Sequence, residues 1–351
     1  MNKKILSLLQ YALFLGLGIF LVWWSLSRIS PDEKEKMLVS LHNANYWYLI
    51  PVVIALLASH FSRAMRWKIL MEPLGYKTHI GNTYLAVLIG YLANLAIPRL
   101  GEILKCTILA KYEKVPADKL VGTIVAERAF DMICLALVMV ICIITQTDLI
   151  GDFIYNLARE NVGTGLSVTK IVIGVGILVA AGAAMLFVFK KFAHISFVTK
   201  IKKIVAGVWQ GLTSVRFVKH KGWFIFHTLF IWSMYLASVQ IGMWALKETS
   251  HYGLIESLTV LFTGSVAMIV TPSGIGLYPI LVMQTMELYG LSQAYGTAFG
   301  WLLWTVQFFQ ILIFGLIAAV ALPYINKNRK YAQARDHRVE NNVVAGGVEK
   351  S

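Results

Sequence analysis

The run Glu127-Arg128-Ala129-Phe130-Asp131 places three ionisable side chains inside an otherwise apolar stretch, residues 121–145. At ~100° per residue in a helix, the three fall within one ~100° arc, so all of them can face a protein interior. In a membrane-spanning helix each would cost ~2.5–3.5 kcal/mol at a lipid-facing midplane position. Such a cluster must be paired or solvated. It can serve as an internal salt-bridge network that pins this helix to its neighbours, as the charged wall of a polar cavity, or as both.

Partners stand upstream. In the stretch 80–109, Pro98-Arg99-Leu100-Gly101-Glu102 interrupts an apolar pattern, and Lys105 follows one turn later. A helix broken at Pro98 and Gly101 leaves free backbone N–H groups at the start of its second limb, a place for an anion. Arg99 together with those amides has the geometry to hold a phosphate bidentately. Arg63 lies deep in the preceding apolar stretch and is a cavity candidate. Arg66, beside Trp67 and Lys68, reads as an interfacial anchor that snorkels. The candidate head-group set is therefore Arg63, Arg99, Glu102, Lys105, Glu127, Arg128 and Asp131. A second bend, Pro272-Ser273-Gly274 with Gly276 and Tyr278, carries no charge. His227, Gln240, Gln307 and Gln310 are single polar groups that read as helix-packing contacts.

The elements holding these residues are set by composition. Of 351 residues, 58% are hydrophobic and only 14% charged, with a mean hydropathy of +0.67; a soluble domain carries about a quarter charged residues. Apolar runs at 5–26, 121–145, 171–189, 223–246 and 298–322 match the ~20 residues needed to cross a ~30 Å hydrocarbon core. The net charge of +14 sits mostly in connecting loops, which fits a cytoplasmic face against anionic lipid better than nucleic acid. The N-terminal apolar run ends in Trp23-Trp24-Ser25-Leu26 without a small-residue cleavage pattern and reads as an uncleaved signal anchor. Cys106, Cys134 and Cys142 have neither metal-ligand nor disulfide spacing, and no cofactor or metal is expected.

Loop charges predict the topology. The stretch 190–221 holds Lys and Arg but no acid and belongs inside, whereas 146–169 is acidic and belongs outside. The N-terminus, with Lys3 and Lys4, and the basic tail are also inside. Both ends of 80–109 then fall on the cytoplasmic side, so this stretch reads as a re-entrant hairpin. The stretch 255–289 repeats the arrangement from the outer side. The fold class is an all-α polytopic membrane protein with about six full spans plus two re-entrant helical hairpins, in an inverted 4+4 repeat. One membrane domain, 1–325, comprises halves 1–146 and 170–325 with an amphipathic cytoplasmic linker at 197–218. Residues 326–351 form a polar tail expected to be disordered.

At these residues the chain resembles the lysylphosphatidylglycerol synthase transmembrane-region family, the flippase-like N-terminal domain of multiple peptide resistance factors. Asn94 through Glu102, Leu109-Ala110-Lys111, Glu127 through Asp131, Arg63 through Trp67 and Pro272 through Gly276 carry the resemblance. It implies a lipid flippase or transporter in the cytoplasmic membrane of a bacterium, handling membrane lipids such as an anionic phospholipid or lipid-linked precursor. The soluble aminoacyl-transferase domain of full-length synthases has no counterpart here, so the chain is expected not to be an enzyme. Where many family members place an Arg and an acid after the second glycine turn, this chain has Tyr278 and Pro279. Two alternatives remain open: a non-catalytic partner of a separately encoded glycosyltransferase or lipid synthase, and a membrane-embedded head-group transferase with Glu127 or Glu102 as base.

Overall fold

The computed structural model describes residues 29–97, 99–146 and 218–348, together with residues 16, 20, 23 and 27. Most of the first apolar segment, the 171–189 segment, the linker at 197–217 and Pro98 lie outside the described residues. Every described element is helical.

Helix α1 (Pro31–His42) starts at a Ser30 cap, whose hydroxyl accepts the Glu33 N–H at 3.3 Å, with Pro31 in the first turn. A 3₁₀ turn leads into α2 (Leu49–Met71). Helix α3 (Ile80–Ala96) and α4 (Leu100–Glu113) then form the first hairpin, followed by α5 (Ala117–Thr145). After the gap come α6 (Lys221–Met243), a second hairpin of α7 (Leu254–Val270) and α8 (Leu277–Leu288), and α9 (Gln293–Val348). Among the described residues, four segments are long and apolar enough to cross a bilayer: Tyr46–Leu74, Lys119–Thr145, Lys221–Met243 and Gln293–Lys327. Limbs α3 and α7 are apolar but only 17 residues each. The helical backbone of α9 runs on to Val348, through the polar stretch for which the sequence suggested disorder.

The two bends share one construction. A residue before proline is pushed out of the helical region; Ile97 and Thr271 are accordingly extended. Left-handed residues then reverse the chain: Arg99 (φ 66°) in the first bend, Ser273 (φ 52°) with Gly274 and Gly276 in the second. For Arg99 and Ser273 this backbone is uphill, so the surrounding contacts must hold it. At the second bend those contacts are visible. Ser273 Oγ donates to the Asn94 carbonyl at 3.2 Å, and its own carbonyl accepts from Trp304 Nε1 at 3.0 Å. The tips of the two hairpins therefore touch.

Apolar packing forms a cluster in each half and smaller ones that join them, such as Leu88 and Ile89 of α3 with Ala318 and Leu322 of α9. One cluster joins α2 to the first hairpin and α5 through Ala64, Trp67, Val87, Leu109 and Leu120. Another fills the second half with Met243, Leu246, Val260, Met286, Phe299 and Leu303. Helices α2 and α6 lie antiparallel across the middle: Asn45 N–H reaches the Ala245 carbonyl at 2.8 Å, while Arg66 at the other end meets Thr228 at 3.3 Å.

Candidate functional site

Helix α2 carries its polar residues on one stripe. Ser59, Ser62, Arg63 and Arg66 recur at three- and four-residue spacing and are all buried. Helix α5 answers with Glu127 and Asp131, one turn apart. Arg63 Nη1 lies 2.7 Å from Glu127 Oε1 and 2.6 Å from Asp131 Oδ2. Arg66 Nη2 lies 2.6 Å from Asp131 Oδ1 and 3.7 Å from Glu127 Oε1. From the first hairpin, Lys105 Nζ donates to Glu127 Oε2 at 2.9 Å while its ammonium lies over the Trp67 ring at 4.7 Å. The indole of Trp67 is itself fixed by a 2.7 Å bond to Thr123 Oγ1. Glu127 is fully buried and gathers three cations from two elements. It acts as a clamp between α2, α5 and the hairpin.

Arg66 corrects the reading from sequence. It is fully buried and bonded to α5 and α6, not an interfacial anchor. Its neighbours Trp67 and Lys68 suggested an interface, but its three-residue spacing from Arg63 puts it on the same buried stripe of α2.

The second ion pair is of another kind. Arg128 Nε lies 3.0 Å from Glu102 Oε1, with the two side chains 43% and 30% exposed. The contact lacks hydrogen-bond alignment, so Arg128 Nε has no hydrogen-bonded partner. This pair edges a cavity of about 240 Å³, open mouth included, lined also by Arg63, Tyr91, Asn94 and Lys105. Gly90 and Gly101 form its floor, where the two limbs of the hairpin meet. Asn94 Oδ1 accepts the Gly101 N–H at 2.8 Å, consuming one of the free amides at the α4 N-terminus.

The structure thus brings together Arg63, Lys105, Glu127 and Asp131 as a buried network, with Glu102 and Arg128 at the cavity edge. Arg99 stands apart, exposed at the bend and outside the cavity lining. In the second hairpin Ser273 contacts Asn94, and the buried Tyr278 hydroxyl accepts from Gln307 Nε2 at 3.1 Å. Gln240 bonds Tyr252 and Ser257, and His227 meets Ser62 at 2.9 Å, as packing contacts do. Tyr91, Asn94, Tyr235 and His60 belong to the same polar region but were not legible as such. For His60 a signal existed: it precedes Arg63 by one turn on the buried stripe of α2.

Four cations (Arg63, Arg66, Lys105, Arg128) face three carboxylates (Glu102, Glu127, Asp131) in this region. The excess is one positive charge.

Long apolar helices, a charged network held between them and a small polar cavity define a polytopic membrane protein with an interior ionic site. The chain belongs to the lysylphosphatidylglycerol synthase transmembrane-region family, whose model matches residues 8–315. It is also similar to a UPF0104 membrane protein of Methanocaldococcus jannaschii, at 23% identity over 312 residues, covering 82% of this chain and 88% of that protein. No solved structure matches the chain.

Proposed function

We propose that the protein is a lipid flippase or transporter that moves a phospholipid or lipid-linked precursor between leaflets. The observation that carries this is the cavity at the first hairpin, lined by three cations (Arg63, Lys105, Arg128) and one carboxylate (Glu102). The cavity is small and open-mouthed, so it engages only the phosphate end of a head group while the acyl chains stay in lipid. Arg128, held only by a poorly aligned carboxylate, is the group free to turn to a phosphate. Glu102 takes a cationic or hydroxyl part of the head. The chain works as a transporter, not as an enzyme, with membrane lipids as its partners and a bacterial cytoplasmic membrane as its location.

An inverted repeat is part of the proposal. Long helix, hairpin, long helix occurs as α2, α3/α4, α5 and again as α6, α7/α8, α9. Each hairpin is tied at its base to the last helix of the other half. Asn82 at the start of α3 bonds Glu113 at the end of α4 (2.5 Å) and Asn326 of α9 (3.0 Å). In the second half Thr259 of α7 bonds Tyr289 after α8 (2.8 Å) and Gln146 after α5 (2.5 Å). The matching trios at opposite ends support two hairpins entering from opposite faces.

The test is leaflet exchange of labelled phospholipids in proteoliposomes. Arg128→Ala removes a charge-assisted contact of ~1.5–3 kcal/mol, so exchange should fall about 10- to 100-fold. Arg99→Ala, outside the cavity, should leave the rate within about twofold. An intact protein that exchanges none of a panel of anionic and zwitterionic lipids sinks the proposal.

A further inference from the structure

We propose that the outer face of α5 around Arg128 is an acyl-chain docking stripe: a tail of the bound phospholipid lies along it while the cavity, read as above as a phosphate site, engages the head. Val121, Val125, Arg128, Met132 and Met139 fall within one ~60° arc of the helix at ~100° per residue. The four apolar members are exposed, and the Arg128 side chain is 43% exposed. Glu127 and Asp131 turn the other way, into the buried network. Arg128 thus stands in the middle of an apolar stripe, with its Nε lacking a hydrogen-bond partner. An arginine on a lipid-facing stripe is costly when nothing completes its bonding. Acyl chains alone cannot complete it, and water alone does not suit the valines and methionines. An amphiphile with an anionic head and an apolar tail suits both.

The stripe is continuous with the cavity. Arg63 and Lys105 line the cavity from its buried side and are tied to Glu127. Glu102 of α4 and Arg128 of α5 are its partly exposed charges, so the mouth opens between these two helices. On the α4 side the exposed Ile103 follows Glu102 directly. A phosphate at Arg128 therefore sits at an opening whose two edges are apolar.

The stripe is apolar in both directions from the arginine: Val125 and Val121 toward the start of α5, Met132 and Met139 toward its end. At 1.5 Å per residue, Arg128 to Met139 spans ~16 Å. That is about half of a ~30 Å hydrocarbon core, the depth of one leaflet. A lipid that changes leaflets points its tail one way before the passage and the other way after it. A cation with apolar surface on either side serves both orientations from one place. Glu102 competes with the phosphate for Arg128, so the guanidinium keeps a counter-ion when the lipid leaves.

The experiment places a benzophenone photocrosslinking side chain at Val125, at Met132 or, on the opposite face of α5, at the exposed Leu137. The full chain is reconstituted in vesicles of dioleoyl phosphatidylglycerol with a fixed minor share of dioleoylglycerol, which has the same tails and no phosphate. Adducts are counted by intact mass after irradiation. At Val125 and Met132 phospholipid adducts should exceed the mixing ratio about tenfold, the worth of one charge-assisted contact. At Leu137 they should match it. Arg128→Ala should return both stripe positions to the mixing ratio, and Glu102→Gln, which removes the competing carboxylate, should raise the excess. Adducts at the mixing ratio at Val125 and Met132 with Arg128 and Glu102 in place overturn the inference, as does an excess that survives in correctly folded Arg128→Ala. Selective capture with no lipid exchange in proteoliposomes removes the transporter reading and leaves the docking stripe standing. Exchange with unselective capture does the reverse.

Discussion

Glu127→Ala is expected to leave little folded protein in detergent, and Glu127→Gln to lower its unfolding temperature by several degrees. Glu127 is the shared counter-ion of Arg63, Lys105 and, at longer range, Arg66, with no exposure of its own. Removing one partner of a buried pair leaves the others uncompensated and costs ~3–5 kcal/mol. That is a large share of the ~5–15 kcal/mol that holds a typical domain together. Arg63 and Arg66 would then share Asp131, and Lys105 would lose its ion-pair partner. Glutamine keeps the volume and one acceptor, so its loss should be smaller than alanine's. If charge imbalance is the cause, Lys105→Met in the Glu127→Gln background should recover part of the loss, a coupling that a double-mutant cycle isolates. Size-exclusion profiles and thermal scans provide the readout, with Leu137→Ala on the exposed face of α5 as a control. A thermal midpoint for Glu127→Gln within a degree of the intact protein would mean the network does not clamp the hairpin.

What the sequence disclosed and what it hid have separate physical causes. Charged residues in an apolar run are expensive, so Glu127, Asp131, Arg63 and Lys105 announced themselves by their cost alone. Both bends were legible because proline and glycine disrupt helices in fixed ways. Periodicity alone could not say that Arg66 has partners on α5 and α6: its three-residue spacing puts it on Arg63's face, while its neighbours Trp67 and Lys68 pointed to an interface. Nor could it show that Arg99 would occupy a left-handed position, which sends the side chain out of the cavity. Neutral polar residues such as Asn94 and Tyr91 cost too little in a helix to stand out, yet both wall the cavity and the Asn94 backbone carbonyl accepts from Ser273 of the second hairpin. Those roles depend on contacts between residues far apart in the chain, and a single sequence carries no trace of them.

Gly101→Ala should abolish function more completely than any exposed charge substitution. The α3 and α4 limbs approach so closely that a Cβ on Gly101 would lie 1.9 Å from the Gly90 carbonyl oxygen and 2.8 Å from Asn94 Oδ1. The first obstacle is backbone, so no rotamer change relieves it and the limbs must separate. Overpacking of this sort costs ~1–3 kcal/mol and occasionally more; a backbone clash places it at the upper end. Separation also breaks the 2.8 Å bond from the Gly101 N–H to Asn94, whose carbonyl carries the contact to Ser273. The change therefore opens the cavity floor and uncouples the two hairpins together. Lipid exchange per folded molecule should fall to the protein-free background, with a lowered thermal midpoint. Gly222→Ala is the matched control. An added Cβ there meets nothing within 4 Å, and the smaller loss of backbone entropy in a helix should stabilise it by ~0.5–1 kcal/mol. Exchange surviving in Gly101→Ala would show that head groups pass somewhere other than this hairpin, because no arrangement keeps the present floor with a methyl group at its centre.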